Sequence, residues 1–300
     1  MSCRGSLGAK DQLVRWADQW AVPLGDLIGI TFARAAPLDL RETDLHPLEA
    51  YYRASRYQPV LLDIPVSRLR GFGSAAFPCT QDGGHPFIDT LLEYRSGVID
   101  GPAASALARF YRAWQPKNAA EYLGVKTGGC HEELLRLKPV EAIFPWWNIL
   151  PRKKREGFRR EVSLSHGAKY RDSLNNDWNF CGPVDDDFLE REFRRLVSVY
   201  ENVRKSYYRD ARFDGDITGM LMLNGSDWRV QVRSGHHRIS ALVARGDHSV
   251  PVRLFFKVPP IVRREDFGFW PHVVNGKIGG DEALRIFDRI FDGIPPWMDS

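Results

Sequence analysis

The chain has 300 residues, 43% of them hydrophobic and 27% charged, with a formal net charge of +4. This length can bury a large core in one or two domains, and so modest a charge neither requires nor excludes a nucleic-acid partner. No apolar run approaches the ~20 residues that a membrane-spanning helix needs, and the amino terminus lacks a signal-peptide core. We therefore expect a cytoplasmic protein without a transmembrane segment.

The first section, residues 1–137, predicts helices and loops. Apolar residues at helical spacing predict helices over 11–20, 85–95 and 103–114, and residues 59–65 predict a short strand. The aromatic side chains of the second and third helices are expected to pack against the rest of the protein. No motif in this section indicates a known family.

The four cysteines, Cys3, Cys79, Cys130 and Cys181, are widely separated. They form no Cys-x-x-Cys pair, which argues against a zinc site and against the disulfide framework of a secreted protein. Cys130 lies beside His131, but two side chains do not make a metal site.

The second section, residues 138–257, predicts a small α+β domain. The expected order is a strand over 138–144, a helix over 185–203, a strand over 217–223, a strand from Trp228, a helix after Gly235 and a strand from Ser249. The third section, residues 258–300, predicts a loop and an amphipathic helix over 281–291. Its apolar face should dock on the main body through Ile286, Phe287, Ile290 and Phe291.

The most informative segment is the turn Gly235-His-His-Arg238, which lies between a predicted strand and a predicted helix. The first amides of a helix are unpaired and the helix dipole is positive there, so the turn suits a phosphate. Gly235 lets the main chain approach an anion, while Arg238 and a His237 ring nitrogen can add charge-assisted hydrogen bonds. The alternative is a tight strand-to-helix turn whose polar side chains are merely solvated.

The succession of strand, Gly-x-His-Arg turn, small-residue helix, glycine and Val-Pro-Val strand resembles the ParB/sulfiredoxin superfamily. The resemblance covers roughly residues 138–257 and is sharp only at the Gly235 turn. It implies a ParB-like α+β domain in which Gly235, His236, His237 and Arg238 hold the phosphates of a nucleotide.

Departures from the family pattern narrow the expected activity. His236 occupies the place of the reactive cysteine of sulfiredoxins, so no thiolate is present to attack a phosphorylated sulfinate. Only 43 residues follow Lys257, fewer than the DNA-binding and dimerisation segments of partition proteins require. The branches that remain are the small-molecule kinases and the ParB-like nucleases.

A kinase also needs Mg²⁺ ligands and a carboxylate that orients the acceptor hydroxyl. Asp216 is our preferred catalytic or metal-binding carboxylate, although an aspartate beside Gly215 is also an ordinary turn residue. Lys169 and Arg171 are expected to contact the nucleotide phosphates, and Asp172 a metal ion or a hydroxyl. The acids that open the helix at residue 185 have an ordinary explanation as helix caps.

The densest basic run, residues 151–160, follows the aromatic segment 144–147. Such a run can track a nucleic-acid backbone while tryptophans stack on bases. It is more commonly a solvated loop.

The leading hypothesis is an ATP-dependent phosphotransferase acting on a small hydroxylated metabolite or a sugar-containing (glycan) acceptor. Its cofactors would be ATP, or another nucleoside triphosphate, and Mg²⁺, with Asp216 and His237 as catalytic residues. One alternative is a nucleic-acid-binding or nuclease module that uses the basic run. The other is an interaction protein that binds a nucleotide at the same turn without useful catalysis.

Overall fold

The described part of the chain, in a computed structural model, comprises residues 37–54, 58–125, 132–157, 180–206, 217–254 and 261–298. Its strands are β1 (Leu38–Asp39), β2 (Val60–Pro65), β3 (Leu69–Gly71), β4 (Phe77–Pro78), β5 (Thr218–Asn224), β6 (Asp227–Ser234), β7 (Ser249–Leu254) and β8 (Ile261–Arg263). Its helices are α1 (Pro47–Arg53), α2 (Pro86–Arg95), α3 (Ala106–Ala113), α4 (Ala119–Leu123), α5 (Glu132–Arg136), α6 (Asp186–Ser206), α7 (His236–Arg245), α8 (Pro271–Val274) and α9 (Gly280–Asp292). Residues 151–157 are also helical.

The strands form one mixed sheet in the order β1-β2-β7-β5-β6-β3-β4, with β8 paired to the far half of β5. The pairs β2–β7, β5–β6 and β3–β4 are antiparallel, whereas β5–β7 and β3–β6 are parallel. The mixed sheet and surrounding helices confirm the α+β class. Strands from before and after residue 137 share this sheet, so the first and second sections contribute to the same layer.

The sequence prediction of a strand over 138–144 is wrong. A single 3-10 turn (Pro139–Glu141) stands there, and the rest of the segment is irregular. Pro139 has no backbone N–H, and the Glu141 side chain accepts a hydrogen bond from the Lys138 N–H at 3.1 Å, which favours a turn over a ladder. The strand that pairs antiparallel with β7 is instead β2, predicted from the apolar run 59–65.

Both faces of the sheet are covered, and β5 is buried on each. Leu221 and Leu223 enter one core cluster, whereas Met220 and Met222 enter the other. A strand enclosed on both sides reads as an unbroken apolar run, which is the pattern of β5. Helices α2, α6 and α7 belong to the first layer, and α9 belongs to the second.

The remaining helix predictions are confirmed where the structure describes them. The predicted helices over 85–95, 103–114, 185–203 and 281–291 correspond to α2, α3, α6 and α9, whereas residues 11–20 lie outside the described residues. The four apolar residues expected to dock α9 are all buried: Ile286, Phe287, Ile290 and Phe291. Within the described ranges, no helix combines the length and apolarity needed to cross a membrane.

Candidate functional site

The corner between β6 and α7 has the geometry expected from its glycine. Gly235 adopts a left-handed backbone conformation (φ 88°, ψ 19°), which a side chain would strain. The residue before it is fixed to the start of β5, because the hydroxyls of Ser234 and Thr218 hydrogen-bond at 2.7 Å. The turn therefore presents the amino end of α7 at a defined place, at the end of the interior strand β6.

The charge pattern of this helix start differs from that of α6 and α9. The first turns of α6 and α9 carry acidic residues that complement the positive end of the helix dipole. The first turn of α7 has no acidic residue and no side-chain cap, and it carries His236, His237 and Arg238. Arg238 is the permanent cation of this turn, and a cation at a positive helix end is unfavourable by about 0.3–1 kcal/mol. This corner is thus suited to an external anion.

His236 turns its ring into the protein rather than toward a ligand. The ring is buried, with its centroid 4.7 Å from that of Phe180 and 6.2 Å from that of Phe72. Burial, reinforced by neighbouring His237, lowers the pKa of His236 to about 3, so the imidazole is neutral. The contribution of His236 to an anion site is therefore limited to its backbone.

His237 is held by a buried carboxylate that sequence reasoning missed. Its Nε2 lies 3.0 Å from Oε1 of Glu192, and the two side chains are 15% and 0% exposed. The ring of Phe87 packs against the imidazole at a centroid distance of 4.7 Å. The two atoms are within ion-pair distance, although the geometry does not meet the criteria for a hydrogen bond between them.

In the sequence, Glu192 is one of several acidic residues near the start of α6 and does not stand out. Its spacing could have identified it as buried, because it lies four residues after buried Phe188 and four before buried Leu196, on the apolar stripe that faces the core. A carboxylate on that stripe is costly to bury without a partner, and it indicates a specific interaction.

A second buried histidine, His85, supports the site from α2. Its Nδ1 accepts a hydrogen bond from the Phe87 N–H at 3.2 Å and so caps α2. Burial and the proximity of His236 lower the pKa of His85 to about 3. Its ring lies 5.0 Å from that of Phe72, which joins the two histidines in one aromatic cluster. His85 therefore has a structural role beneath the corner.

Arg238 is partly exposed in the first turn of α7, as an anion-binding role requires. The other expected ligands, Lys169, Arg171, Asp172 and Asp216, lie outside the described residues. Within the described ranges, no group of three or more His, Cys, Asp or Glu side chains is arranged to hold a metal ion.

The basic run is engaged by the protein where it is described. Arg152 pairs with Glu156 at 2.8 Å, Arg155 pairs with Glu141 at 2.9 Å, and the ammonium of Lys154 donates to a backbone carbonyl. Of the two tryptophans that could stack on bases, Trp146 is buried in the second core and Trp147 is partly buried against it. The described part of this run, residues 151–157, thus offers few free charges to a nucleic acid.

Comparisons with protein-family models, with curated proteins and with solved structures found no match for this chain. The ParB-like assignment accordingly remains a proposal based on the motif and the geometry.

Proposed function

We propose that the chain is a nucleotide-dependent phosphotransferase with a ParB-like fold. It would bind ATP or another nucleoside triphosphate at the amino end of α7 and phosphorylate a small hydroxylated metabolite or a sugar-containing acceptor. The observation that carries the proposal is the helix start at Gly235, which has no side-chain cap and carries Arg238, combined with His237 at 3.0 Å from buried Glu192. The succession α6, β5, β6, α7 and β7 supports the fold, whereas the opening strand that the resemblance implied over 138–144 is not formed.

In this proposal the first amides of α7 and the guanidinium of Arg238 bind the phosphate tail. The amides and the helix dipole favour negative charge, and a guanidinium can bind two phosphate oxygens at once. Mg²⁺, when bound, neutralises charge that develops on the transferred phosphoryl group. Lys169 and Arg171 would add contacts to the nucleotide, and Asp172 and Asp216 would serve the metal.

His237 would act on the acceptor. Because Nε2 faces Glu192, Nδ1 is the atom that takes the proton from the acceptor hydroxyl as its oxygen bonds to the γ-phosphorus. The bond from that phosphorus to the bridging oxygen breaks, and the nucleoside diphosphate leaves. Glu192 stabilises the resulting imidazolium, and Asp216 would orient the acceptor.

The nucleotide part of the proposal is tested by thermal stability with ATP, ADP, CTP and GTP, with and without Mg²⁺. A ligand that binds only the folded state raises the melting temperature, and Arg238→Ala should remove that rise. Arg194→Ala is the control, because Arg194 lies on the exposed face of α6 and, among the described residues, pairs with Glu190 of the same helix at 2.5 Å. A nucleotide-induced rise that survives Arg238→Ala would contradict the proposed site.

The catalytic part is tested by nucleoside diphosphate release across a panel of hydroxylated acceptors. His237→Gln should lower turnover about 10²–10⁴-fold, because general-base catalysis contributes that much, and should leave nucleotide binding in place. Binding without turnover for any acceptor would favour the nucleotide-gated interaction protein instead. Steeply salt-dependent DNA or RNA binding would favour the nucleic-acid alternative.

A further inference from the structure

A cluster of guanidinium groups lies at the opposite end of β6 from the Gly235 corner. Arg229 of β6 and Arg70 of β3 share one face of the sheet, because Arg70 pairs with Gln231 and side chains alternate along a strand. Arg68 lies just before β3. Arg229 precedes Gly235 by six residues, which is roughly 20 Å along a strand. A ligand site at this cluster would therefore be separate from the proposed nucleotide site.

Two of the guanidinium groups converge on one carboxylate, that of Asp227. Nη1 of Arg229 lies 2.9 Å from both oxygens of Asp227, and Nη1 of Arg68 donates to Oδ1 of the same carboxylate. Both groups also donate to the carbonyl of Trp228, Arg229 at 2.7 Å and Arg68 at 3.1 Å. Because they share these acceptor atoms, the two guanidinium groups lie side by side.

Arg70 adds a third guanidinium group, which is 6% exposed. Its Nε donates to the carbonyl of Phe291 at 3.0 Å, and its Nη1 donates to the carbonyls of Ser67 and Leu69 at 2.8 and 2.9 Å. Burial, and then the charge of Arg229, lowers the pKa of Arg70 to about 10. Arg70 is thus held by neutral carbonyls and lies close enough to Arg229 for the two cations to repel each other.

The carboxylates near this cluster do not balance its charge. Although burial acts to raise it, the pKa of Asp227 is lowered to about 2 by hydrogen bonds from Arg229 and Arg68. The charge of Asp292 raises the pKa of Arg70, but Asp292 is exposed and forms no ion pair with the cluster within the described ranges. Three permanent cations thus share one paired carboxylate, which leaves an excess of positive charge.

Polar atoms on the same face of β6 are also unpaired. Nε of Arg229 is buried and has no hydrogen-bond partner among the described residues, and the same is true of both polar side-chain atoms of Gln231. Gln231 is 3% exposed and pairs in register with Arg70. A guanidinium N–H and an amide N–H are both satisfied by an oxygen acceptor. Because the cluster is also cationic, the group that complements it is an oxyanion.

Aromatic rings fix the orientation of the two outer guanidinium groups. The guanidinium carbon of Arg68 lies 5.0 Å from the ring centroid of Trp228, and that of Arg229 lies 4.7 Å from the ring centroid of Phe291. The edge of the same indole meets the ring of His46 at a centroid distance of 6.0 Å. These rings are occupied by protein groups, so they are poorly placed to stack on the bases of a nucleic acid. The arrangement favours a compact anion instead.

We propose that Arg68 and Arg229, backed by the buried charge of Arg70, bind the phosphate group of a small ligand, either inorganic phosphate or a phosphate monoester. The side chains of Arg68 and Arg229 are 36% and 18% exposed, so they are the groups that a ligand reaches. A guanidinium fork can bind two phosphate oxygens at once, and a phosphate dianion offsets the excess positive charge. This second phosphate site goes beyond the proposed function and does not depend on it.

Titrations with inorganic phosphate, glycerol 3-phosphate and glycerol, at constant ionic strength in chloride, test the site. The indole N–H resonance of Trp228, identified by its absence in Trp228→Phe, should move with both phosphate compounds and not with glycerol. A tighter response to the ester than to the free ion would show that the organic part is also recognised, and equal responses would show that the phosphate alone is. A resonance that neither phosphate compound moves, even if a short oligonucleotide moves it, would overturn the proposal.

Matched variants locate the effect. Arg68→Gln should weaken phosphate binding about tenfold or more, because it removes charge-assisted hydrogen bonds. Arg194→Gln should not change it, since Arg194 is an exposed arginine of α6 that pairs with Glu190. Full phosphate affinity in Arg68→Gln would refute the assignment.

A third variant separates ligand binding from a merely structural role of the cluster. Asp227→Asn should tighten phosphate binding, because it removes the carboxylate that competes for the same guanidinium groups. A cluster that serves only to hold β3 and β6 together would show no such gain. Unchanged or weaker phosphate binding in Asp227→Asn would count against the site.

The two phosphate sites fail separately. Arg238→Ala should leave the response of the Trp228 resonance to phosphate intact, and Arg68→Gln should leave the nucleotide-induced rise in melting temperature intact. If phosphate moves the resonance but no nucleotide raises the melting temperature, the phosphotransferase proposal fails and this site stands. If the nucleotide response is present and phosphate does not move the resonance, this site alone fails.

Discussion

Arg289 and Arg238 are two arginines on helices of the same protein, and they differ in burial and in their place on the helix. Arg289 on α9 is 3% exposed, and its guanidinium donates to the carbonyls of Ser74, Ile294 and Leu123 at 2.6, 2.8 and 3.3 Å and to the Ser74 hydroxyl at 2.8 Å. Arg238 is partly exposed in a helix turn with no carboxylate and no side-chain cap. A guanidinium enclosed by carbonyls joins pieces of the fold, whereas one at a positive helix end suits an incoming anion.

The largest expected effect comes from replacing the buried arginine of this pair, Arg289. Arg289→Met removes the donors to three main-chain carbonyls and should lower the free energy of unfolding by about 3 kcal/mol or more. Urea denaturation measures the loss, with Arg194→Met as the exposed control. The residual folded protein should still respond to nucleotide. A loss below about 1 kcal/mol would mean that water replaces the guanidinium.

Local signals were enough to predict the corner itself. A glycine between an alternating strand and a helix predicts the turn at Gly235, and the turn has the expected left-handed conformation. The periodicity of α9 likewise predicted its buried face, because the amphipathic pattern of a helix depends on residues close together in the sequence.

What the sequence could not supply are contacts between distant segments. His237 meets Glu192 of α6, and His236 meets Phe72, through packing that no local pattern encodes. The same limit explains the strand wrongly predicted over 138–144, because the partner of β7 is β2, far earlier in the chain. Local propensity cannot select among strands that pair across such separations.

The second expected effect concerns His236, which shares a helix turn with Arg238 but should affect acid stability rather than nucleotide binding. The pKa values of His236 and His85 are about 3 in the folded state, below the ordinary 6.5. Below about pH 6.5 the unfolded chain binds protons that the folded chain does not, so stability is lost as the pH falls from there toward about 3. Each histidine should cost about 2 kcal/mol by roughly pH 5.

Denaturation at about pH 7 and about pH 5 measures this loss of stability. His236→Gln should reduce the loss by the roughly 2 kcal/mol that one buried histidine contributes. The variant should retain the nucleotide-induced rise in melting temperature, because the ring of His236 faces the core. An unchanged acid loss in His236→Gln would show that other groups control acid stability.

The third effect compares the glycines at the two ends of α7. Gly235 (φ 88°) and Gly246 (φ 111°) both have left-handed backbones, so alanine at either should cost about 1–2 kcal/mol of stability. Gly246→Ala is therefore a control matched for strain at the far end of the helix. Only Gly235→Ala should also abolish the nucleotide response, since its methyl group obstructs the approach of a phosphate. An equal nucleotide response in both variants would place the nucleotide elsewhere.

The smallest effect concerns Asp89 in the first turn of α2, which packs on α7. Burial, then the nearby charge of Glu93, raises the pKa of Asp89 from 3.8 to about 6. The folded chain therefore retains a proton that the unfolded chain releases, so the stabilising contribution of Asp89 is present below about pH 4 and is lost as the pH rises through about 6.

Asp89→Asn removes this pH dependence and should stabilise the protein by about 1 kcal/mol at pH above about 7, after allowance for solvent screening at this half-buried site. It should give no gain near pH 4, and it should leave the nucleotide response unchanged, because Asp89 belongs to the packing beneath the corner and not to the cationic turn. A gain that is equal at both pH values would attribute the effect to helix propensity rather than to the buried charge.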